Sequence, residues 1–289
     1  MSPLSTDTRS KESDRESSSS RGTDAPAGKW SENRFAHYLY GASTIMFLLS
    51  TWHFAAKYEL LNRTLMPSPG EVWNAFVILL TSGQLIEDIK VSLYRILAGF
   101  ALGLITAIPL GLLVARIRLV KAFLDPLLEL IRPIPALAFL PLAILWFGTG
   151  EASKLFIMWF GTFFVIIVSV IEGVYNFDVV YLRVARNLDA SQAQIFRHVL
   201  LPGILPFILE GNRQAIATAF RIVVSAEMIA AQSGLGFLIL NSSVFYQSDK
   251  VIVGIIVLGA LGMTFDRLLL HVTRNVLLRY KQGAEEIAI

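Results

Sequence analysis

The stretch Tyr181–Pro206, YLRVARNLDASQAQIFRHVLLPGILP, is polar and basic between two long apolar runs, Leu155–Ile171 before it and Ile204–Ala230 after it. Arg183, Arg186 and Arg197 give it the charge expected of a loop on the cytoplasmic side of a membrane. Asp178 is placed to cap a first short helix. Asp189, followed by Ala190, falls where the chain must turn through a left-handed conformation that Asp tolerates. Ser191 and Gln194 stand at capping-box spacing, so a second helix is predicted to start near Gln192. Along it Ile195, Phe196, Val199 and Leu200 alternate with Gln192, Arg197 and His198 at helical spacing, and Pro202 is expected to end it. The product is a short amphipathic helix at a membrane surface. Two readings stand: a helix resting on lipid, or a knob that docks a soluble partner.

Outside this loop the chain is too apolar for a soluble domain. Of 289 residues 54% are hydrophobic and 16% charged, with a mean hydropathy of +0.59, which marks a polytopic membrane protein in the lipid bilayer. The absence of cysteine excludes disulfides, thiolate metal sites and cysteine nucleophiles. A net charge of +3 is small for a nucleic-acid binder, and the basic residues sit at the ends of apolar runs, where they report topology instead. His198 has no carboxylate or second histidine at ligand spacing, so no metal site is expected.

Runs of spanning length fall at Tyr38–Ala56, Ile96–Ala115, Leu127–Phe147, Leu155–Ile171, Ile204–Ala230 and Val251–Leu270. An all-α membrane protein of six transmembrane helices follows. With the loop at 178–202 inside, both termini are cytoplasmic. The basic residues near span ends then divide twelve inside against five outside, as the positive-inside rule requires. Residues 1–34, rich in Ser, Asp, Glu and Arg, form an expected disordered cytoplasmic tail with no secretory signal; 35–281 are the transmembrane domain, and 282–289 a short cytoplasmic tail. The stretch from Met66 to Ile89 carries turn residues and then Gly83, Gln84, Glu87 and Asp88, too broken to cross. It reads as an outer-surface segment, either an ordinary interfacial helix or a rim that meets an external protein.

Within the spans three patterns stand out. Gly99, Gly103, Ala107 and Gly111 put small side chains on one face of the second span, a seam where another helix approaches closely; Pro109 is expected to kink it. Pro126, Pro133, Pro135 and Pro141 forbid a straight third span. Such a break belongs where protein or a water-filled cavity surrounds it, so Pro133 and Pro135 are placed on a translocation path, with a kink serving packing as the alternative. In the fifth span Glu210, Gln214, Thr218, Arg221 and Ser225 form one polar stripe, readable as a pore wall or as a polar seam between subunits. Arg213 and Glu227 lie off that stripe and are expected to pair with neighbouring spans in a structural or gating role. Asp266 and Arg267, near the inner end of the last span, are accounted for by pairing or snorkelling.

The loop resembles the cytoplasmic signature of the membrane subunits of ATP-binding-cassette importers, E-A-A-x3-G-x9-I-x-L-P. Its fixed positions fall on Arg183, Val184, Ala185, Asp189, Val199, Leu201 and Pro202, of which Ala185, Leu201 and Pro202 are identical. Arg183 stands where the signature has Glu, and Asp189 where it has Gly. A second block, matching through Arg132, Pro133, Pro135, Pro141, Trp146, Gly148, Glu151 and Lys154, is similar to the permeases of the nitrate, sulfonate, taurine and bicarbonate importers. A third, Ala226, Glu227, Met228 with Ser233, Gly234, Leu235 and Gly236, resembles the same group.

This resemblance implies a type I importer permease of the bacterial inner membrane, whose coupling helix transmits ATP-driven closure of motor subunits to the spans. It implies two ATP-binding subunits holding ATP and magnesium, a second permease copy in a homodimer, and an extracytoplasmic solute-binding protein. The segment from Arg183 to His198, with Arg186, Ser191, Gln194, Phe196 and Arg197, would be the ATPase-coupling surface. An Arg221 facing the path suits a small anion. The sequence has no G-x-x-x-x-G-K-S/T loop, so ATP hydrolysis is expected in the partners alone. A stand-alone secondary transporter or channel is the alternative. A membrane enzyme lacks a converging constellation, and a passive scaffold has no use for the broken span and the stripe.

Overall fold

The computed structural model describes residues 34–58, 62 and 65–286. The expected disordered tail, all but Arg34, therefore lies outside the described residues, as do residues 287–289. The chain divides into two compact units, 1–51 and 52–289. The described part of the first is the N-terminal portion of helix α1 (Arg34–Lys57), where Thr51 Oγ1 bonds back to the Phe47 carbonyl at 2.8 Å. All other elements belong to the second unit.

In order these are α2 (Pro69–Thr81), α3 (Gln84–Arg116), α4 (Arg118–Ile131), a 3₁₀ turn (Ala136–Phe139), α5 (Leu140–Phe147), α6 (Glu151–Tyr175), α7 (Val179–Asn187), α8 (Gln192–Ala230), α9 (Leu235–Val244) and α10 (Ser248–Glu286). Among the described residues α3, α6, α8 and α10 are long and apolar enough to cross a membrane. A fifth crossing exists if α4 and the segment Ala136–Phe147 count as one span bent by 92°. The remaining predicted run, Tyr38–Ala56, falls on α1, which is not among them, so the six expected crossings become four or five among the described residues.

Several helices run beyond their expected bounds, and two of these differences bear on the site. The second span does not begin at Ile96. Its helix starts at Gln84, because Asp88, Ser92 and Arg95 are buried on one face, where each meets a partner from another helix or its cap, instead of breaking the helix. The segment before it contains a helix, as one of its two readings had it. Ser68 caps α2 in a capping box with Glu71, and Val72, Ala75 and Leu79 are buried toward α10 and α3. The short amphipathic helix of the loop, finally, does not stop at Pro202. After one α-turn at Gln192–Gln194 the chain widens into a π-helical turn over Ile195–Leu200, and the helix then runs unbroken through Pro202 and Pro206 to Ala230. Pro202 occupies the first turn of the α-segment that follows, where a missing N–H is least costly.

α6 is the central helix, with α3 along one side and α8 along another. Ile157, Met158, Ile166, Ile167 and Val170 are fully buried between them. The small-residue face of α3 meets α6 directly. A Cβ on Gly99 would collide with the Met158 side chain, and one on Gly103 would lie 2.5 Å from Thr162 Oγ1, whose hydroxyl donates to the Gly99 carbonyl at 3.2 Å. Since lipid is as apolar as leucine, backbone approach of this kind supplies association that the hydrophobic effect cannot.

Candidate functional site

The cytoplasmic-type loop is built from side-chain caps. Asp178 Oδ1 accepts from the Val180 N–H at 2.8 Å and starts α7. At its end Asp189 takes φ 56°, while the Ala190 N–H reaches the Ala185 carbonyl at 3.1 Å and the Asp189 N–H reaches that of Arg186 at 3.0 Å, a Schellman closure. That geometry explains how Asp serves where the signature has Gly. Ser191 and Gln194 then exchange hydrogen bonds, the Ser191 N–H donating to Gln194 Oε1 at 2.8 Å and the Gln194 N–H to Ser191 Oγ at 3.3 Å. Ala185 and Ile195 are buried where α7 packs on the π turn, leaving Arg183, Arg186, Arg197 and His198 exposed beside exposed Val184 and Leu188. Leu201 and Pro202 are half-buried. Phe196 lies under the Arg116 guanidinium, 5.4 Å from ring centre to Cζ, joining the loop to the end of α3. A residue the sequence reading missed is Gly203, against which the Phe177 ring packs so closely that any Cβ would collide with it.

The predicted path residues separate into two groups. The broken span turns at Arg132–Pro135 against the polar stripe of α8, and between them opens a cavity of about 360 Å³ lined by Arg132, Pro135, Thr218 and Arg221 together with Phe160, Phe164 and Ile222. A second cavity of about 330 Å³ adjoins it, sharing Arg132, Phe164 and Val165 and adding Ser169, Glu172 and Gln214. Pro133, Glu210 and Ser225 line neither. Arg221 is held by its own helix, Nη2 donating to Thr218 Oγ1 at 3.0 Å and Nε to the Ala217 carbonyl at 3.3 Å. Among the described residues it has no carboxylate partner. Gln214 Nε2 stands 3.5 Å from Glu210 Oε1, and Glu210 is 3.8 Å from Arg213.

Arg213 and Glu227 both pair across helices. The Arg213 guanidinium grips Asp266 of α10, at 2.7 Å from Nε and 3.4 Å from Nη2. Glu227 is at the centre of a buried network that only partly showed in the sequence. Its carboxylate accepts from Arg95 Nη1 at 2.7 Å, from Ser92 Oγ at 2.9 Å and from the Gly236 N–H at 2.8 Å. Arg95 also makes a two-point contact with Glu151 at 2.7 and 2.6 Å and donates to the Ser233 carbonyl at 2.8 Å. Asp88 Oδ1 accepts from the Gly234 N–H, and Lys154 closes the cluster on Glu151 at 3.0 Å. Gly234, at φ 112°, sits where any Cβ would strike the Glu227 carboxylate. The blocks around Glu151 and around Glu227 and Gly234 thus meet at one point, on Arg95. The signal for it was Asp88, Ser92 and Arg95 at helical steps that continue into the Gly99 seam.

With this geometry in place the comparisons with known proteins decide the family. Residues 107–277 match the binding-protein-dependent transport system inner membrane component. The chain belongs to that family. A probable ABC transporter permease of Brucella melitensis is 39% identical over 211 residues, covering 73% of this chain and 86% of the relative. The taurine transport system permease of Escherichia coli strain K12 is 33% identical over 228 residues, covering 77% and 83%. In fold, the inward-facing MetNI methionine ABC transporter is similar with a TM-score of 0.59 at 18% identity, over 68% of this chain and 97% of that one. This permease is accordingly a multi-pass inner-membrane transport subunit, with the helical architecture of importer permeases among the described residues.

Proposed function

We propose that this permease forms the translocation path for a small oxyanion of the sulfonate or nitrate kind, driven by separate ATP-binding subunits. The observation that carries the reading is the convergence of Arg132 of the broken span and Arg221 of the α8 stripe on one cavity. A guanidinium without a carboxylate partner among the described residues, in a partly apolar wall, favours a passing anion. The taurine permease among the relatives carries a name that fits this chemistry.

In the assembly two ATP-binding subunits, holding ATP and magnesium, each grip one loop from Arg183 to His198. A second copy of this chain completes the path, and an extracytoplasmic binding protein delivers the solute. The loop and both termini face the cytoplasm. Closure of the motors pushes on the exposed basic and apolar face of the loop. That push passes directly into α8, because the docking turns and the stripe are one helix of 39 residues, about 58 Å long against a hydrocarbon core of about 30 Å.

The test is co-purification with candidate ATP-binding subunits and ATP-dependent uptake of taurine, methanesulfonate and nitrate into proteoliposomes. Wild type is compared with a variant carrying Arg186→Glu and Arg197→Glu. Loss of the motor subunits only in the variant is expected. A well-folded wild type that never retains an ATP-binding subunit refutes the reading.

A further inference from the structure

The two adjoining cavities carry the same kind of cation in different electrostatic settings. In the larger one Arg221 is tethered to Thr218 and the Ala217 carbonyl, neither of which is charged. Arg132 lines both cavities, and on the side of the smaller one it faces Glu172, Nη2 to Oε1 3.8 Å, beyond hydrogen-bond reach but within ion-pair range. Both of these side chains are more than half exposed, at 64% and 56%, so neither is fastened. Glu172 lies three residues before the end of α6 at Tyr175, and Gln214 precedes Arg221 on α8, so the smaller cavity is nearer the α7 loop. An anion moving from Arg221 to Arg132 therefore leaves a cation with no counter-charge for one that already has a carboxylate beside it.

We propose that Glu172 is a built-in competitor that discharges the transported anion from Arg132. The inference rests on the anion-import reading and on the orientation proposed with it. Arg132, which lines both cavities, draws the oxyanion from Arg221 toward the second. The Glu172 carboxylate then closes the remaining gap onto the guanidinium, and the displaced anion departs toward the loop side. No bond is made or broken. The carboxylate needs only a rotamer change, and an exposed pair of this kind is weak enough to open again for the next anion.

The test uses the whole complex, permease with its ATP-binding subunits, in nanodiscs for nucleotide-free binding of radiolabelled taurine and nitrate, and in proteoliposomes for uptake. Removing the competitor by Glu172→Gln tightens binding about two- to fivefold, the range of an exposed ion pair, and slows turnover. Glu172→Asp, which keeps the charge, stays near wild type. Arg132→Gln loses the effect of Glu172→Gln when the two are combined. Unchanged affinity in Glu172→Gln beside a transporting wild type overturns the inference and leaves the importer reading intact, as does a Glu172→Asp variant that behaves like Glu172→Gln. A wild-type complex that takes up none of taurine, methanesulfonate or nitrate overturns the anion reading and the inference with it.

Discussion

Substitution of Glu227 by Ala removes the acceptor on which Arg95 Nη1, the Ser92 hydroxyl and the Gly236 N–H all converge. Glu227 has 0% and Arg95 2% of the side chain exposed, so water cannot replace the lost carboxylate. Breaking a buried pair by deleting one member costs about 3–5 kcal/mol. At about 2–4 °C per kcal/mol the thermal midpoint falls by roughly 6–20 °C. Glu151 touches the same guanidinium with two hydrogen bonds, yet 48% of its side chain is exposed. Its replacement by Ala costs about 1–3 kcal/mol, the range for charged hydrogen bonds, because water reaches this carboxylate's site while Arg95 keeps Glu227. The assay is thermal unfolding of the purified chain in detergent for Glu227→Ala, Glu151→Ala, Arg95→Met and the combination of Arg95→Met with Glu227→Ala. Because the combination leaves no buried guanidinium facing an empty site, it should be milder than the sum of its parts by about 1–3 kcal/mol. A Glu227→Ala shift no larger than that of Glu151→Ala, or a double variant additive within about 0.5 kcal/mol, refutes the network as a cooperative fastener.

Three further outcomes are expected. Gly103→Leu forces α3 away from Thr162 and Phe163 and lowers stability by about 1–3 kcal/mol, read as a fall in melting temperature, whereas Gly70→Leu on open surface does not. Asp189→Val places a β-branched residue at φ 56° and costs about 1–2 kcal/mol, loosening retention of ATP-binding subunits in pull-down, while Asp189→Gly retains them fully. Arg221→Gln leaves assembly intact by size-exclusion chromatography but cuts anion uptake by about 10–100-fold, the worth of one charged hydrogen bond.

The helical membrane fold was legible because its signals are local: apolar runs of spanning length, the small-residue step from Gly99 to Gly111, and the caps at Asp178 and Ser191. The break at Arg132–Pro135 was equally plain, since proline leaves no alternative. Two things were not legible for definite reasons. Asp88 reads as a helix breaker when counted as a charge, and as a helix residue only when the Gly234 N–H that it accepts from, distant in sequence, is known. Pro202 reads as a helix end because no local pattern announces the π turn that precedes it. In the candidate site Arg221 was found through the periodicity of its own helix. Arg132 was noticed as a motif residue without a task, because its neighbours Glu172 and Gln214 come from two other helices.

The continuity of α8 also constrains how this chain can vary. Docking turns, π turn and polar stripe lie on one continuous helix, and each residue added or removed between Leu201 and Glu210 would rotate everything beyond it by about 100°. Arg221 would then leave the cavity and the close fit of Gly211 to Ser169 would be lost, while the loop face stayed where it was. Substitutions can accumulate along this segment independently, but its length cannot drift. Alignments of related permeases should therefore show gaps elsewhere and none between the coupling turns and the stripe.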